Sequence, residues 1–214
     1  YILTQIEHPI GLGHANPGFR NASSLFFLNS LFYLPGTEIY LMHIYSVFFL
    51  GFANVIFINF IFDKKKFKEF KFANFLGLIS ISFLNTFFYR MAEHGVDRSA
   101  MVIVFIVALI SALILKNINY KKLYKENLDL FFFISILLAL LASTKSIYLL
   151  YIPLGLVFLF FWRKNFFVII KSYAILYSIT FVSIYLLYNF INSGCIVYPA
   201  DFICYYDLPW SLSR

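Results

Sequence analysis

Six long, predominantly apolar stretches of the chain carry no formally charged residue, and this feature limits the possible fold more than any other. A helix needs about 17–25 predominantly apolar residues to cross a bilayer. The charge-free stretches therefore predict an all-α fold, a polytopic transmembrane helical bundle with about six spanning helices. They are Ile39–Phe62, Phe72–Tyr89, Ser99–Leu115, Leu130–Thr144, Ser146–Trp162 and Ser172–Ala200.

The composition excludes most soluble classes of protein. Hydrophobic residues make up 62% of the chain and charged residues 13%, whereas soluble domains average about 45–50% and about 25%. So few charges cannot cover the surface of a water-soluble globule. Soluble enzymes and nucleic-acid-binding modules are therefore excluded, and the partner predicted from composition is membrane lipid.

The two stretches on either side of Lys145 allow two interpretations, either two short helices or one long helix with a buried lysine. Because cytoplasmic loops of membrane proteins are enriched in Lys and Arg, the basic segments Asp63–Lys71, Lys116–Asn127 and 163–171 are predicted to lie inside. With two helices, 12 of the 17 cations lie inside. A single helix over Leu130–Trp162 weakens this asymmetry, so two helices are favoured.

This topology predicts one transmembrane domain over 1–214, in a multi-pass protein of the bacterial inner (cytoplasmic) membrane. Its predicted parts are an extracytoplasmic loop at 1–38, helical spans at 39–188 and an extracytoplasmic tail at 189–214. The acids and the histidines fall mainly on the outer side, so the working face is expected there.

The first outer loop is expected to contain an interfacial helix over Leu25–Leu34, capped by Ser23 or Ser24. The chain begins at Tyr1 without an initiator Met, and no signal-peptide pattern follows. We therefore interpret it as a fragment of a longer protein.

The segment between the second and third spans is the most charged outer stretch, with the sequence RMAEHGVDR. On a helical turn Glu93 and Asp97 share a face because they are four residues apart. Two close carboxylates with His94 between them can produce a general base. The alternative is a solvated turn of mutually compensating charges. A zinc site lacks a suitable His or Cys spacing, so no metal site is predicted.

Lys145 lies between two apolar runs, where a charge needs water or a partner. One interpretation is a lysine that extends to the membrane surface. The other is a cation placed for an anionic headgroup or phosphate, with the hydroxyl groups of Thr144, Ser146 and Tyr148 nearby.

Cys195 and Cys204 are the only two cysteines. In an extracytoplasmic tail they are expected to form a disulfide, whereas in the cytoplasm they would stay reduced.

Several short motifs carry a resemblance to a family of largely uncharacterised polytopic bacterial membrane proteins, which is similar in turn to the GT-C glycosyltransferases. GT-C enzymes take a sugar from a polyprenyl-phosphate donor. The motifs are Gly11-Leu12-Gly13, Phe19-Arg20-Asn21-Ala22-Ser23-Ser24, the Ser143-Thr144-Lys145 turn, Ser193-Gly194-Cys195-x-x-Tyr198-Pro199 and Leu208-Pro209-Trp210-Ser211.

The resemblance implies a mechanism in which an outer carboxylate deprotonates the acceptor hydroxyl and a cation holds the departing phosphate. It assigns the second acidic position of these enzymes to Asp97 or Glu93. It further implies that the main catalytic acid of GT-C enzymes, which usually follows the first helix, precedes Tyr1. No cofactor is implied, although a divalent cation stays open. The implied substrate-binding residues are Lys145, Arg20, His14 and Tyr148.

Three other functions stay open at this point. They are a flippase or transporter for a lipid-linked solute, a polymerase for surface polysaccharide, and a non-catalytic assembly subunit. The charge-free runs contain no acid, which argues against ion-coupled transport.

Overall fold

The computed structural model describes residues 10–11, 13, 20, 23–32, 34, 36, 44–63, 71–88, 95–117, 124–163 and 166–211. These residues form helices and no strand, and Cys195 and Cys204 form an isolated β-bridge. The all-α prediction is confirmed. The α-helices are α1 Ser24–Ser30, α2 Ile44–Phe62, α3 Lys71–Phe87, α4 Gly95–Asn117, α5 Tyr124–Thr144, α6 Ile152–Phe161, α7 Phe166–Ile170 and α8 Tyr173–Ser193.

Three helical segments are long and apolar enough to cross a membrane. They are Ile44–Phe62, Asp97–Leu115 and Tyr173–Ser193. Two apolar helical segments, Leu128–Thr144 and Ser146–Phe161, are shorter. The structure is therefore compatible with a membrane protein, and the count of six spans stays a prediction.

The chain reverses direction at Lys145. Helix α5 ends at Thr144, and a 3₁₀ segment over Ser146–Tyr151 leads into α6. The rings of Phe131 and Trp162 lie 5.3 Å apart, although a straight helix would separate residues so distant in sequence by about 46 Å. The alternative of one long helix is therefore wrong.

Local hydrogen bonds explain why the helix ends there. The hydroxyl of Ser143 donates to the carbonyl of Leu140, and that of Thr144 donates to the carbonyl of Leu141. Such bonds compete with the next backbone bonds of a helix. Lys145 then takes an extended conformation, with φ −162° and ψ 142°.

The core lies along α4 and α5, which pack against each other. Within the spanning window of α4, 56% of the residues are buried, compared with 11% for α8. Helices α2 and α3 pack beside α4, and α8 packs beside α5. Reciprocal hydrogen bonds of 3.1 and 2.7 Å join the amides of Asn54 and Asn85 and connect α2 to α3.

The structure differs from the predicted elements at three places. Helix α1 has seven residues rather than the ten of Leu25–Leu34, and the Ser30 hydroxyl bonds the Phe27 carbonyl at its end. The basic segment 163–171 contains the short helix α7. The predicted loop 90–98 overlaps the first turn of α4. Charged residues can belong to the first turn of a helix because their side chains reach water there.

Candidate functional site

Asp97 and Lys145 form an ion pair at one end of the bundle. The Lys145 ammonium nitrogen Nζ donates to both carboxylate oxygens of Asp97, at 2.9 Å to Oδ1 and 3.2 Å to Oδ2. Asp97 lies in the first turn of α4, and Lys145 directly follows α5. Because the pair joins the start of one of these packed helices to the end of the other, the two helices run in opposite directions.

The ion pair is open to solvent. The side chain of Lys145 is 39% exposed and that of Asp97 is 56% exposed. Exposed ion pairs contribute only about 0–1 kcal/mol to stability. A ligand can therefore replace either partner at a small cost in free energy.

Hydroxyl groups surround the Lys145 turn. Tyr148 is close enough to Asp97 for the two side chains to interact electrostatically, and its backbone nitrogen donates to the Lys145 carbonyl at 3.0 Å. The Ser146 hydroxyl lies 3.2 Å from the Tyr185 hydroxyl on α8. The turn therefore combines a cation, a carboxylate and several neutral hydrogen-bonding groups.

An apolar cavity of about 390 Å³ lies between α1, the end of α5 and α8, within the size range of ligand-binding pockets. The buried Ser143 lies in its wall, and its hydroxyl oxygen lies 2.8 Å from the Ser24 hydroxyl oxygen. Phe181 and Ile184, also in the wall, are exposed on the outside of the bundle. The cavity therefore opens sideways. Its lining residues are Ser23, Ser24, Phe27, Leu28, Ser143, Phe181, Ile184, Tyr185 and Tyr188.

The tail and part of the first segment lie at this same end. One cavity lies between 131–139 of α5 and 175–183 of α8, and another lies between Ser143 of α5 and 181–188 of α8, so α8 runs parallel to α5 and ends on the side of Lys145. The backbone nitrogen of Gly11 donates to the Ile191 carbonyl at 3.0 Å. Directly after α8, Cys195 and Cys204 form a disulfide. We call this part of the molecule, with the Asp97–Lys145 pair, the Lys145 end.

Comparison with known proteins adds one finding. Residues 10–214 match a protein family described as "Domain of unknown function (DUF8201)". The chain belongs to this family. No curated protein and no solved structure matches the chain. The region matched by DUF8201 includes the ion pair, the cavity wall and the disulfide.

The structure brings together three of the residues that the sequence singled out in this DUF8201 chain. Asp97, Lys145 and Tyr148 are neighbours. Arg20 instead donates from Nε to the Gly13 carbonyl at 3.4 Å. Glu93 and His14 lie outside the described residues.

Metal-ligating groups are a separate question. Among the residues that the structure describes, no group of three or more His, Cys, Asp or Glu side chains could hold a metal ion. The carboxylate of Asp97 pairs with an ammonium group instead.

Tyr185 and its neighbours on α8 were not predicted as site residues. Tyr185, Asn189 and Asn192 are at most 5% exposed, although α8 is otherwise turned largely outward. Their spacing of four and three residues places them on one helix face. Polar residues on one face of an apolar helix indicate contact with protein rather than lipid. The spacing of these residues is visible in the sequence, but they are uncharged and lie within a charge-free run, so they were not singled out.

Proposed function

We propose that the chain is an integral membrane glycosyltransferase of GT-C type. It transfers a sugar from a polyprenyl-phosphate donor to an acceptor hydroxyl on the outer face of the bacterial inner membrane, in the modification of a cell-envelope glycan or lipid. The observation that carries the proposal is the Asp97–Lys145 pair beside a sideways-opening apolar cavity. A lipid-linked anionic substrate needs this combination of a cation and an apolar surface.

In the proposed reaction the donor phosphate displaces Asp97 from Lys145. The freed carboxylate of Asp97 accepts the proton of the acceptor hydroxyl. The acceptor oxygen then bonds to the anomeric carbon of the sugar, while the bond from that carbon to the phosphate oxygen breaks. Lys145 holds the departing polyprenyl phosphate, since a positive charge beside the leaving group stabilises the negative charge that develops there.

The proposal includes the six-span topology, with 1–38 and 189–214 on the extracytoplasmic side of the membrane. The disulfide supports this orientation, because such bonds persist in oxidising compartments and are rare in the cytoplasm. The resemblance to GT-C enzymes supports the reaction type. A divalent cation on the donor phosphate stays an option, so the assay below is run with and without EDTA.

The first prediction is that Asp97→Asn and Lys145→Ala each reduce sugar transfer about 100-fold or more, the usual range for a general base and for a group that stabilises developing charge. The protein is reconstituted with undecaprenyl-phosphate-linked mannose or aminoarabinose, and transfer to membrane glycolipid acceptors is measured. Asp129→Asn and Lys171→Ala are matched controls, because they remove an exposed acid near the start of α5 and an exposed cation just before α8, whereas Lys145 follows the end of α5. Full activity of both site variants would discard the catalytic assignment.

A flippase for a lipid-linked solute is the second candidate, and the sideways-opening cavity also favours it. The two functions differ in the fate of the donor. A transferase releases free undecaprenyl phosphate, whereas a flippase moves the intact donor between leaflets. If the intact donor moves between leaflets without being cleaved, and Lys145→Ala abolishes this movement, the result favours the flippase.

A further inference from the structure

The turn that carries Lys145 is attached on both sides to other parts of the fold. Before Lys145, the Ser143 hydroxyl bonds the Ser24 hydroxyl of α1 at 2.8 Å. After Lys145, the Ser146 hydroxyl lies 3.2 Å from the Tyr185 hydroxyl of α8. The second attachment connects residues 39 positions apart in the sequence and is buried.

Tyr185 combines two roles at this place. Its side chain forms part of the cavity wall, and only 5% of the residue is exposed. Phe would supply a similar apolar ring, so packing does not require the hydroxyl. A buried tyrosine hydroxyl needs a hydrogen-bond partner, and here that partner is the residue next to Lys145. The hydroxyl therefore fixes the turn relative to α8.

We infer that Tyr185 is a positioning residue for Lys145. The inference rests on the proposed function, in which Lys145 holds a phosphate. A lysine ammonium is a point charge on a flexible side chain, so its position depends on where the backbone of Lys145 lies. The bond between Tyr185 and Ser146 holds the backbone of the turn in place, and it connects the wall of the apolar cavity to the residue next to the cation.

The chain offers a matched pair of substitutions for the test. Tyr185→Phe removes the hydroxyl that meets Ser146. Tyr188→Phe removes another hydroxyl on the same cavity wall, but this one interacts with Asn192, away from the Lys145 turn. Both variants keep an aromatic ring, so they differ in the attachment of the turn.

The readout is the acetylation of individual lysines by pulses of acetic anhydride, measured by mass spectrometry on protein in phosphatidylcholine vesicles. Without ligand, Tyr185→Phe is expected to raise the labelling rate of Lys145 about two- to fivefold, while Lys171 at the start of the α8 region stays unchanged. With undecaprenyl phosphate present, Tyr185→Phe is expected to raise the half-protecting concentration about three- to tenfold, as for one lost hydrogen bond. Tyr188→Phe is expected to stay within about twofold of wild type in both measurements.

The measurement without ligand tests the positioning role of Tyr185, and the measurement with undecaprenyl phosphate tests the proposed function. Unchanged labelling of Lys145 in Tyr185→Phe overturns the inference, and so do equal increases at Lys145 and Lys171, which indicate general loosening. If undecaprenyl phosphate does not protect Lys145 in the wild type, the proposed function fails. The ligand-free rates still decide the positioning role in that case.

Discussion

The turn that carries Lys145 and the tail that follows α8 lie at the same end of the bundle, but different interactions hold them. The working groups of the turn form an ion pair in which both side chains are substantially exposed. The tail is closed by the disulfide between Cys195 and Cys204, and Tyr205 donates a backbone hydrogen bond to Gly194 at 2.9 Å. The charged groups of the pair can exchange partners, whereas the tail is held in one arrangement by its disulfide and its backbone contacts.

This difference separates stability from chemistry. Substitutions in the tail should lower the free energy of unfolding, since they affect covalent closure and tight backbone contacts. Substitutions in the ion pair should leave that free energy nearly unchanged and reduce activity. The predictions below test this contrast, beginning with the largest expected change in stability.

Gly194→Ala is expected to have the largest effect, a loss of about 2–5 kcal/mol from left-handed backbone strain and overpacking together. Gly194 ends α8 with φ +76°. An added Cβ would overlap the Cβ of Ser211 and lie 3.0 Å from its Cα. The free energy of unfolding is measured by SDS titration and circular dichroism.

Gly36→Ala is the matched control for that measurement. Gly36 also has a positive φ, +86°, but an added Cβ would meet no atom within 4 Å. The control therefore contains the backbone strain without the collision. Equal losses in the two variants would contradict a tight packing of Ser211 against the end of α8.

The second prediction for the tail concerns its disulfide. Replacing Cys195 and Cys204 by Ser is expected to lower stability by roughly 2–3 kcal/mol, as expected for a short closed loop. The sequence separation is nine residues. Wild-type protein unfolded in the presence of dithiothreitol should show the same loss. A double variant as stable as the oxidised wild type would show that the tail is held by its other contacts.

The helices were largely predictable because the absence of charge over a long run is a strong signal for a buried or membrane-embedded helix. The helix ends were less predictable. Asp97 and Arg98 belong to the first turn of α4, so a rule that ends helices at charges made this helix too short. A charged residue at a helix terminus can reach water, and the rule does not allow for this.

The ion pair was also partly predictable, since sidedness alone assigned Asp97 and Lys145 to the same face. The contacts that support it were not. Tyr185 lies in an apolar run and is uncharged, and its partner Ser146 is 39 residues away. Such a contact depends on how α8 packs beside α5. Arg20, which the resemblance implies as a substrate-binding residue, has its described contact with Gly13, and its role stays a prediction.

The smallest predicted effect on stability is that of the ion pair itself. Lys145→Met keeps the apolar stem and removes the charge, and Asp97→Asn keeps the shape of the carboxylate. Each is expected to change the free energy of unfolding by less than about 1 kcal/mol, with a coupling of about 0.2–1 kcal/mol in the double variant. The four proteins are compared by SDS titration at low and high salt, because screening should reduce the coupling of exposed charges further.

A coupling above about 2 kcal/mol would indicate that the pair is structural, beyond the range of exposed ion pairs. The expected small value has a consequence for function. If Lys145→Met and Asp97→Asn lose sugar transfer while they unfold like the wild type, the loss cannot come from misfolding. The exposed pair then acts on a ligand, and the tail serves to keep the surrounding fold in place.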